Sequence, residues 1–149
     1  MPGLPGPLRA AVTAASTVAP GAAAKLAEIV FLRPPRFRPP RREWWWSTGA
    51  TAVELEVNLG GQPRKLKGWR WGSVGPAVLL IHGWGGRGLQ LGAFAEPLAE
   101  AGFRVLAVDL PAHGESSGKS TSLPEAAEAI TAVLDSLDRS PGGVAGLIA

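Results

Sequence analysis

The first indication of a functional site in this sequence is a glycine-rich loop that follows an apolar run. The run Ala77–Ile81 is continuously apolar, which predicts a strand buried on both faces. The loop that follows it reads His82, Gly83, Trp84, Gly85, Gly86, Arg87 and Gly88. Glycine allows sharp turns and leaves backbone N–H groups uncovered, so such a loop can bind a phosphate or stabilise an oxyanion. Two chemistries therefore compete for it.

The first chemistry is dinucleotide binding. Gly83, Gly85 and Gly88 fit the G-x-G-x-x-G pattern, a helix is predicted next, and Asp109 ends the following strand about 20 residues on, where a ribose-binding acid is expected. Two features oppose this interpretation. A predicted hairpin precedes the first parallel strand, and His82 stands where the dinucleotide turn prefers a small residue.

The second chemistry is acyl transfer, and here the sequence resembles a known family. Val78–Gly86 (VLLIHGWGG) resembles the oxyanion strand and loop of α/β-hydrolases, and Val108–Ser116 (VDLPAHGES) resembles the family's next loop. The resemblance covers residues 50–149. It implies that the backbone N–H of Trp84 donates to the oxyanion, and that His82 and Gly83 shape the oxyanion loop.

Other polar residues near these motifs receive structural roles. In the family the catalytic order along the chain is serine, acid, histidine, so His82 is not expected to be the triad base. His113 is predicted to lie near the mouth of the pocket without a catalytic role. Asp109 is predicted to hold the turn that follows it through backbone hydrogen bonds. The loop serines lack an elbow pattern and are expected to be flexible rather than nucleophilic: Ser116, Ser117 and Ser120.

The 149 residues contain no G-x-S-x-G-like nucleophile elbow. By resemblance, the elbow would follow the strand Val144–Ala149, with the acid and the histidine further on. The sequence therefore predicts a fragment of a serine hydrolase, truncated after the fifth strand and inactive as this chain, with the elbow encoded downstream. The resemblance implies a small-molecule substrate for the full-length relative, but fold analogy does not choose among ester, thioester, amide, epoxide and carbon–carbon substrates. A dinucleotide binder and a non-enzymatic interaction protein stay as alternatives.

The elements that must position these loops follow from hydrophobic periodicity. Alternation in residues 53–58 and 65–71 predicts an antiparallel hairpin. Helices are predicted over Leu89–Ala101 and after Ser122, with further buried strands at Arg104–Asp109 and Val144–Ala149. The apolar stripe of the first helix is Leu91, Phe94, Ala95 and Leu98, and that of the second is Leu123, Ala127, Ile130, Leu134 and Leu137. The order predicts an α/β fold: a partial α/β-hydrolase sheet with helices on both faces.

Residues 1–49 are predicted to be an extension and residues 50–149 the hydrolase half-domain. The extension holds seven Lys or Arg and two Glu, against eight basic and ten acidic residues afterwards. Residues 1–7 are expected to be unstructured, and Ala22–Leu32 to form a helix. The basic, proline-rich run Arg33–Arg42 is interpreted as a hydrated linker in preference to a contact with an anionic surface or an SH3-like domain. Trp44–Trp46 cannot all share one face, so some should pack and some stay exposed.

Composition excludes several classes of protein. The sequence has no cysteine and two histidines, which excludes disulfides and thiolate sites and argues against a histidine-rich metal centre. No cofactor, metal, nucleic-acid partner or membrane partner is predicted. The region 8–32 is too interrupted for a transmembrane helix and resembles a signal peptide only weakly. The expected location is the cytoplasm, with export as the alternative.

Overall fold

The computed structural model describes residues 6–149. Its contacts divide the chain into two compact units, and the boundary along the chain lies between Arg33 and Pro34. The first unit contains helices α1 (Gly6–Val18) and α2 (Pro20–Phe31), which contact each other. Proline at the start of α2 is compatible with the helix, because that position needs no N–H donor. The expectation that residues 1–7 are unstructured lies mostly outside the described residues, although α1 already begins at Gly6. No described helix has the length and apolar character needed to cross a membrane.

The second unit is built on one five-stranded sheet. Its strands are β1 (Thr51–Leu59), β2 (Gln62–Trp71), β3 (Ala77–Ile81), β4 (Arg104–Val108) and β5 (Val144–Ile148), in the order β1-β2-β4-β3-β5. The first two strands form the predicted antiparallel hairpin, and β2 is also antiparallel to β4. β3 is parallel to both β4 and β5. All five residues of β3 are buried, as expected for a central strand.

Helices cover both faces of this sheet, which confirms the predicted fold class. On one face, Ala126, Ala129 and Val133 of α5 (Leu123–Asp138) join a core with Leu79 and Leu106. On the other face, the core contains Trp69, Trp71, Val78, Leu80 and Ala95, and the last of these begins α4 (Ala95–Glu100). The sheet is therefore the central layer, and the loops at its strand ends are positioned from both sides.

The predicted helix faces were partly wrong. In α5, Leu123 is 68% exposed and Ala127 is exposed, because the small residues Ala126 and Ala129 bring the helix close to the sheet and leave larger side chains at the flanks. The predicted helix 89–101 is a 3₁₀ helix (Gly88–Phe94) followed by α4. With three residues per turn, Gly92 and Ala95 lie in line and are buried, while Phe94 faces outwards and is 51% exposed.

The run Arg33–Arg42 is only in part the hydrated linker that the sequence predicts, because residues 35–40 are exposed and in neither helix nor strand but the run also makes specific contacts. Pro34 is buried, and Arg36 donates hydrogen bonds to the carbonyl oxygens of Ala112, Ser116 and Gly118. The short helix α3 (Arg41–Ser47) follows, and the sequence pattern did not indicate it. Residues 34–49 thus belong to the same compact unit as the sheet, whereas the sequence placed a boundary at residue 50.

Candidate active-site loops

Two loops follow the carboxyl ends of the neighbouring parallel strands β3 and β4. Residues 82–87 connect β3 to the 3₁₀ helix, and residues 109–122 connect β4 to α5. In open α/β sheets, ligands bind at the carboxyl ends of the strands. Both motifs found in the sequence therefore lie where a substrate is expected.

The loop after β3 is a tight turn from Gly83 to Gly86. The N–H of Gly86 donates to the carbonyl oxygen of Gly83 at 2.9 Å, and Gly85 has φ 73°. This combination fits a type II turn, whose third position favours glycine. The side of Gly83 where a Cβ would stand has no atom within 4 Å, so a reacting group has room to approach the backbone there.

His82 joins the two loops with both of its ring nitrogens. Nε2 accepts the backbone N–H of Leu110 at 3.0 Å, so Nδ1 must be the protonated nitrogen, and it donates to the carbonyl oxygen of Gly83 at 2.7 Å. Burial lowers the pKa of His82 to about 4, against the raising effect of the Gly83 hydrogen bond. A neutral imidazole with both nitrogens engaged is a structural link and not a general base.

Asp109 connects the loop after β4 to the first residue of the 3₁₀ helix, which follows the loop after β3. It is fully buried, Oδ1 accepts the N–H of Gly88 at 2.7 Å, and Oδ2 accepts the N–H of Glu115 at 2.8 Å. Burial raises the pKa of this carboxyl, while the two backbone hydrogen bonds oppose the rise. Because each oxygen already accepts a backbone donor, Asp109 is poorly placed to bind a ribose hydroxyl. Asp109 is therefore not available as the acidic residue that dinucleotide binding requires.

Ser116 is an ordered structural residue, contrary to the expectation of a flexible loop. Its hydroxyl donates to the carbonyl oxygen of Asp109 at 2.6 Å and accepts the N–H of Lys67 at 2.9 Å. Ser117 likewise accepts the N–H of Lys65 at 2.9 Å and donates its own N–H to the Lys65 carbonyl oxygen. The loop is ordered because these bonds pair it with β2. Neither hydroxyl is arranged as a nucleophile.

His113 is buried within the loop after β4, and its expected position near the mouth of a pocket stays a prediction. Its side chain is 1% exposed, and its Nδ1 donates to the carbonyl oxygen of Pro111 at 3.0 Å. The ring lies 4.9 Å from that of His82 and meets Trp84 edge to face at 5.3 Å. Burial is the main cause that lowers the pKa of His113. Arg36 binds the carbonyl oxygens of Ala112 and Ser116, on either side of this residue.

Comparisons with known proteins agree with this geometry. The family model described as the alpha/beta hydrolase fold matches residues 76–146, which include β3, both loops and most of β5. Residues 76–146 therefore have the fold of the α/β-hydrolases, as a partial sheet.

Individual relatives of this hydrolase-fold segment differ in chemistry. The dihydrolipoyllysine-residue acetyltransferase component of the acetoin cleaving system of Pseudomonas putida is 40% identical over 83 residues, which are 52% of this chain and 22% of that protein. A thioesterase domain from the curacin biosynthetic pathway is 35% identical with a TM-score of 0.52, over 64% of this chain and 37% of that one. An esterase of Pyrococcus furiosus is 23% identical with a TM-score of 0.57, over 78% and 45%, which shows the fold. The chain thus spans less than half the length of each of these relatives.

Sequence reasoning missed the residues that hold the hydrolase loops from the N-terminal side. Arg87 donates from Nε and Nη2 to the carboxylate of Glu43 at 2.9 and 2.7 Å, and from Nη1 to the carbonyl oxygen of Phe37. The hydrogen bond with Glu43 raises the pKa of Arg87. The signal in the sequence was a single acidic residue, Glu43, in a basic stretch, together with one arginine inside a glycine-rich loop.

Two cavities lie beside these loops, and the larger, of about 380 Å³, is lined by residues that include Arg41, Trp44 and Glu115. The other, of about 100 Å³, lies between the 34–47 segment and the two loops, lined by residues that include Phe37, Arg87 and Asp109. Pockets for small molecules usually measure roughly 300–1,000 Å³. A larger cavity of about 560 Å³ lies between β1 and α5, among residues that take no part in either loop. Of the two cavities beside the loops, the one that Asp109 and Arg87 line is therefore smaller than a usual small-molecule pocket.

Proposed function

We propose that residues 50–149 provide the oxyanion-stabilising part of a serine hydrolase that acts on a small molecule with an ester or related acyl bond. The backbone N–H of Trp84 is the proposed donor, and His82 and Gly83 shape the turn that presents it. One observation supports this most strongly. The Gly83–Gly86 turn stands at the carboxyl end of β3 and is fixed by a neutral His82, which binds both Gly83 and Leu110.

The chemistry requires a rigid loop. When a nucleophile adds to a carbonyl, negative charge develops on its oxygen, and donors that are already in place stabilise that charge without reorganising. His82 and Asp109 supply the rigidity, because each joins the loop after β3 to the loop after β4. In hydrolases of this fold, the second donor is the N–H of the residue after the nucleophile.

The proposed class of substrate is inferred from the names of two relatives. The thioesterase domain and the acetyltransferase component, at 35% and 40% identity, both act on acyl groups according to their names. Acyl transfer is also the reaction in which two backbone donors at this edge of the sheet are most useful. An acyl substrate is therefore preferred here over an epoxide.

The 149 residues by themselves are proposed to be inactive. Ser116 and Ser117 have their hydroxyls engaged with backbone groups, and both nitrogens of His82 are engaged as well. We expect no turnover of short p-nitrophenyl esters and no labelling by a fluorophosphonate probe. Stoichiometric labelling of one serine, abolished by its change to alanine, would contradict this. A parallel titration with NADH, expected to show no binding, tests the dinucleotide alternative.

The oxyanion role is tested by restoring the other catalytic groups. Residues 34–149 would be joined to the complementary C-terminal half of an active esterase of this fold. In an active chimera, Trp84→Pro removes the proposed N–H donor, and kcat should fall about 10²–10³-fold. Trp84→Ala keeps that donor and is the matched control, with a much smaller effect on kcat expected. Equal losses in the two variants would assign the effect to the indole and reject the donor role.

A further inference from the structure

An exposed group of aromatic and arginine side chains lies on residues 37–45. Phe37 is 65% exposed, Trp44 is 69% exposed and Trp45 is 70% exposed, and the two indoles meet edge to face. Arg38 and Arg41 are exposed in the same stretch of chain, and Arg41 lines a cavity with both tryptophans. We call these five residues the aromatic–arginine surface. Exposed apolar patches that are rimmed by polar residues are typical of sites that bind a protein or a membrane.

The five residues carry two positive charges and no negative one, and the exposed Glu115 lines a cavity with Arg41 and Trp44. The acidic residue of α3, Glu43, does not offset the arginines, because it is 1% exposed and its carboxylate is paired with Arg87. Tryptophan is favoured at the boundary between lipid and water, where its ring is buried and its N–H stays hydrated. Arginine is attracted to anionic lipid headgroups. The combination fits the surface of an anionic bilayer.

Helix α2 of the first unit independently has a suitable face. Leu26, Ile29 and Val30 follow the i, i+3, i+4 spacing of one helix face, and they are 63%, 40% and 64% exposed. Lys25 and Glu28 form an ion pair with each other. None of the residues of α2 is buried. A short helix with an exposed apolar face can lie in the interfacial plane of a bilayer without crossing it.

We propose that the aromatic–arginine surface and helix α2 bind the surface of an anionic lipid bilayer. Trp44 and Trp45 would enter the interface, Arg38 and Arg41 would contact the headgroups, and the apolar face of α2 would add a second anchor. Two weak anchors are needed, since a single short apolar element gives only marginal and reversible binding. This differs from the sequence-based expectation that no membrane takes part.

The test is flotation of the whole chain with vesicles through a density gradient, because aggregated protein does not float. Vesicles of phosphatidylcholine mixed with phosphatidylserine are compared with vesicles of phosphatidylcholine alone. We expect flotation with the anionic vesicles, about tenfold or more weaker association with the neutral ones, and loss of binding at high salt. Absence of flotation, or equal binding to both vesicles, would overturn the proposal.

Paired variants separate the aromatic and charge contributions. Trp44→Ala with Trp45→Ala should weaken association about tenfold or more, since two interfacial rings are removed. The control is Phe94→Ala with Val74→Ala, because both of these residues are exposed but lie elsewhere. No difference between the two pairs would reject the aromatic anchor.

The charge variants follow the same design. Arg38→Glu with Arg41→Glu should abolish the preference for anionic vesicles. Its control is Arg70→Glu with Lys119→Glu, which makes the same change of net charge at two other exposed positions. Equal effects would show that only total charge matters and would overturn the assigned surface. Saturable binding of a purified SH3 domain, without flotation, would assign the proline-rich run to peptide recognition instead.

Discussion

At the scale of single residues, the loops depend on buried polar groups that take no direct part in acyl chemistry. His82 and Asp109 use every ring nitrogen and carboxylate oxygen to bind the backbone. A buried polar group without a partner costs about 1–3 kcal/mol, so such residues tolerate only one arrangement of the loops around them. The sequence identified both residues, and their structural roles followed from the family order and from turn chemistry.

Two glycines of these loops should differ sharply in their tolerance of a side chain. Gly114 has φ 47°, and a Cβ there would overlap the carboxylate of Asp109. Gly83 does not have a positive φ, and no atom lies within 4 Å of its Cβ position. Gly114→Ala should lower the free energy of unfolding by about 2 kcal/mol or more, and Gly83→Ala by less than about 1 kcal/mol. Urea denaturation measures both, and similar losses in the two variants would contradict the proposed packing.

The stability of the chain should depend on pH through His82. Its pKa is about 4 in the folded chain and 6.5 when unperturbed, so between these values the unfolded chain binds a proton that the folded chain does not. Stability is then fully present above about pH 6.5 and decreases by about 3 kcal/mol as the pH falls to 4. The lowered pKa of His113 acts in the same direction, and the raised pKa of Asp109 acts in the opposite one.

The matched variant for this pH dependence is His82→Gln. It should be less stable at neutral pH, because the links to Gly83 and Leu110 are weakened, and its stability should change less between pH 6.5 and 4. Urea denaturation at a series of pH values compares the two slopes. Identical slopes in the wild-type chain and the variant would show that His82 titrates normally.

At the scale of elements, β5 is the least protected part of the sheet. It pairs with β3 and forms an edge of the described sheet. Its residues, Val144–Ile148, include no charge and no proline, and Leu147 is 44% exposed. Exposed apolar edge strands without such residues tend to pair with further chains.

Leu147→Lys should therefore increase the monomeric fraction of the purified chain. A lysine at an edge strand opposes pairing with a second edge by charge and by hydration. Phe94→Lys makes the same kind of change at an exposed apolar residue outside the sheet and should have little effect. Size-exclusion chromatography with light scattering measures the distribution. A wild-type chain that is monodisperse and monomeric would reject this role of β5.

The elements that sequence analysis predicted well have local signals. Residues 77–81 form β3 as predicted, because continuous apolar character distinguishes a buried strand. Helix α5 begins after Ser122, whose hydroxyl accepts the N–H of Glu125 as the capping pattern indicated. The 34–47 segment has no such local signal. Arg36 binds oxygens 76 or more residues away and Glu43 binds Arg87, so its structure depends on partners that no short pattern identifies.

At the scale of the whole molecule, the question is where the hydrolase unit begins. The sequence favoured residue 50, whereas contacts in the structure place residues 34–49 with the sheet. Trp46 supports the second boundary, since its side chain lies against Gly92 and its carbonyl oxygen accepts the indole N–H of Trp71 at 3.2 Å. Residues 34–149 should therefore fold without the first unit, and residues 50–149 should not.

Three chains compared in the Leu147→Lys background would test this boundary: 1–149, 34–149 and 50–149. For the first two, the free energy of unfolding of residues 34–149 should agree within about 1 kcal/mol, because these residues form a compact unit with its own core. The shortest chain lacks Arg36 and Glu43, which leaves Arg87 without the carboxylate that pairs with it. It also loses the packing of Trp46 against Gly92, and a domain has only roughly 5–15 kcal/mol of stability available. We expect the shortest chain to unfold without a cooperative transition, and full-length Glu43→Ala to reproduce part of that loss. Equal stability of 50–149 and 34–149 would show instead that the hydrolase unit begins at residue 50 and that its loops need no support from the N-terminal side.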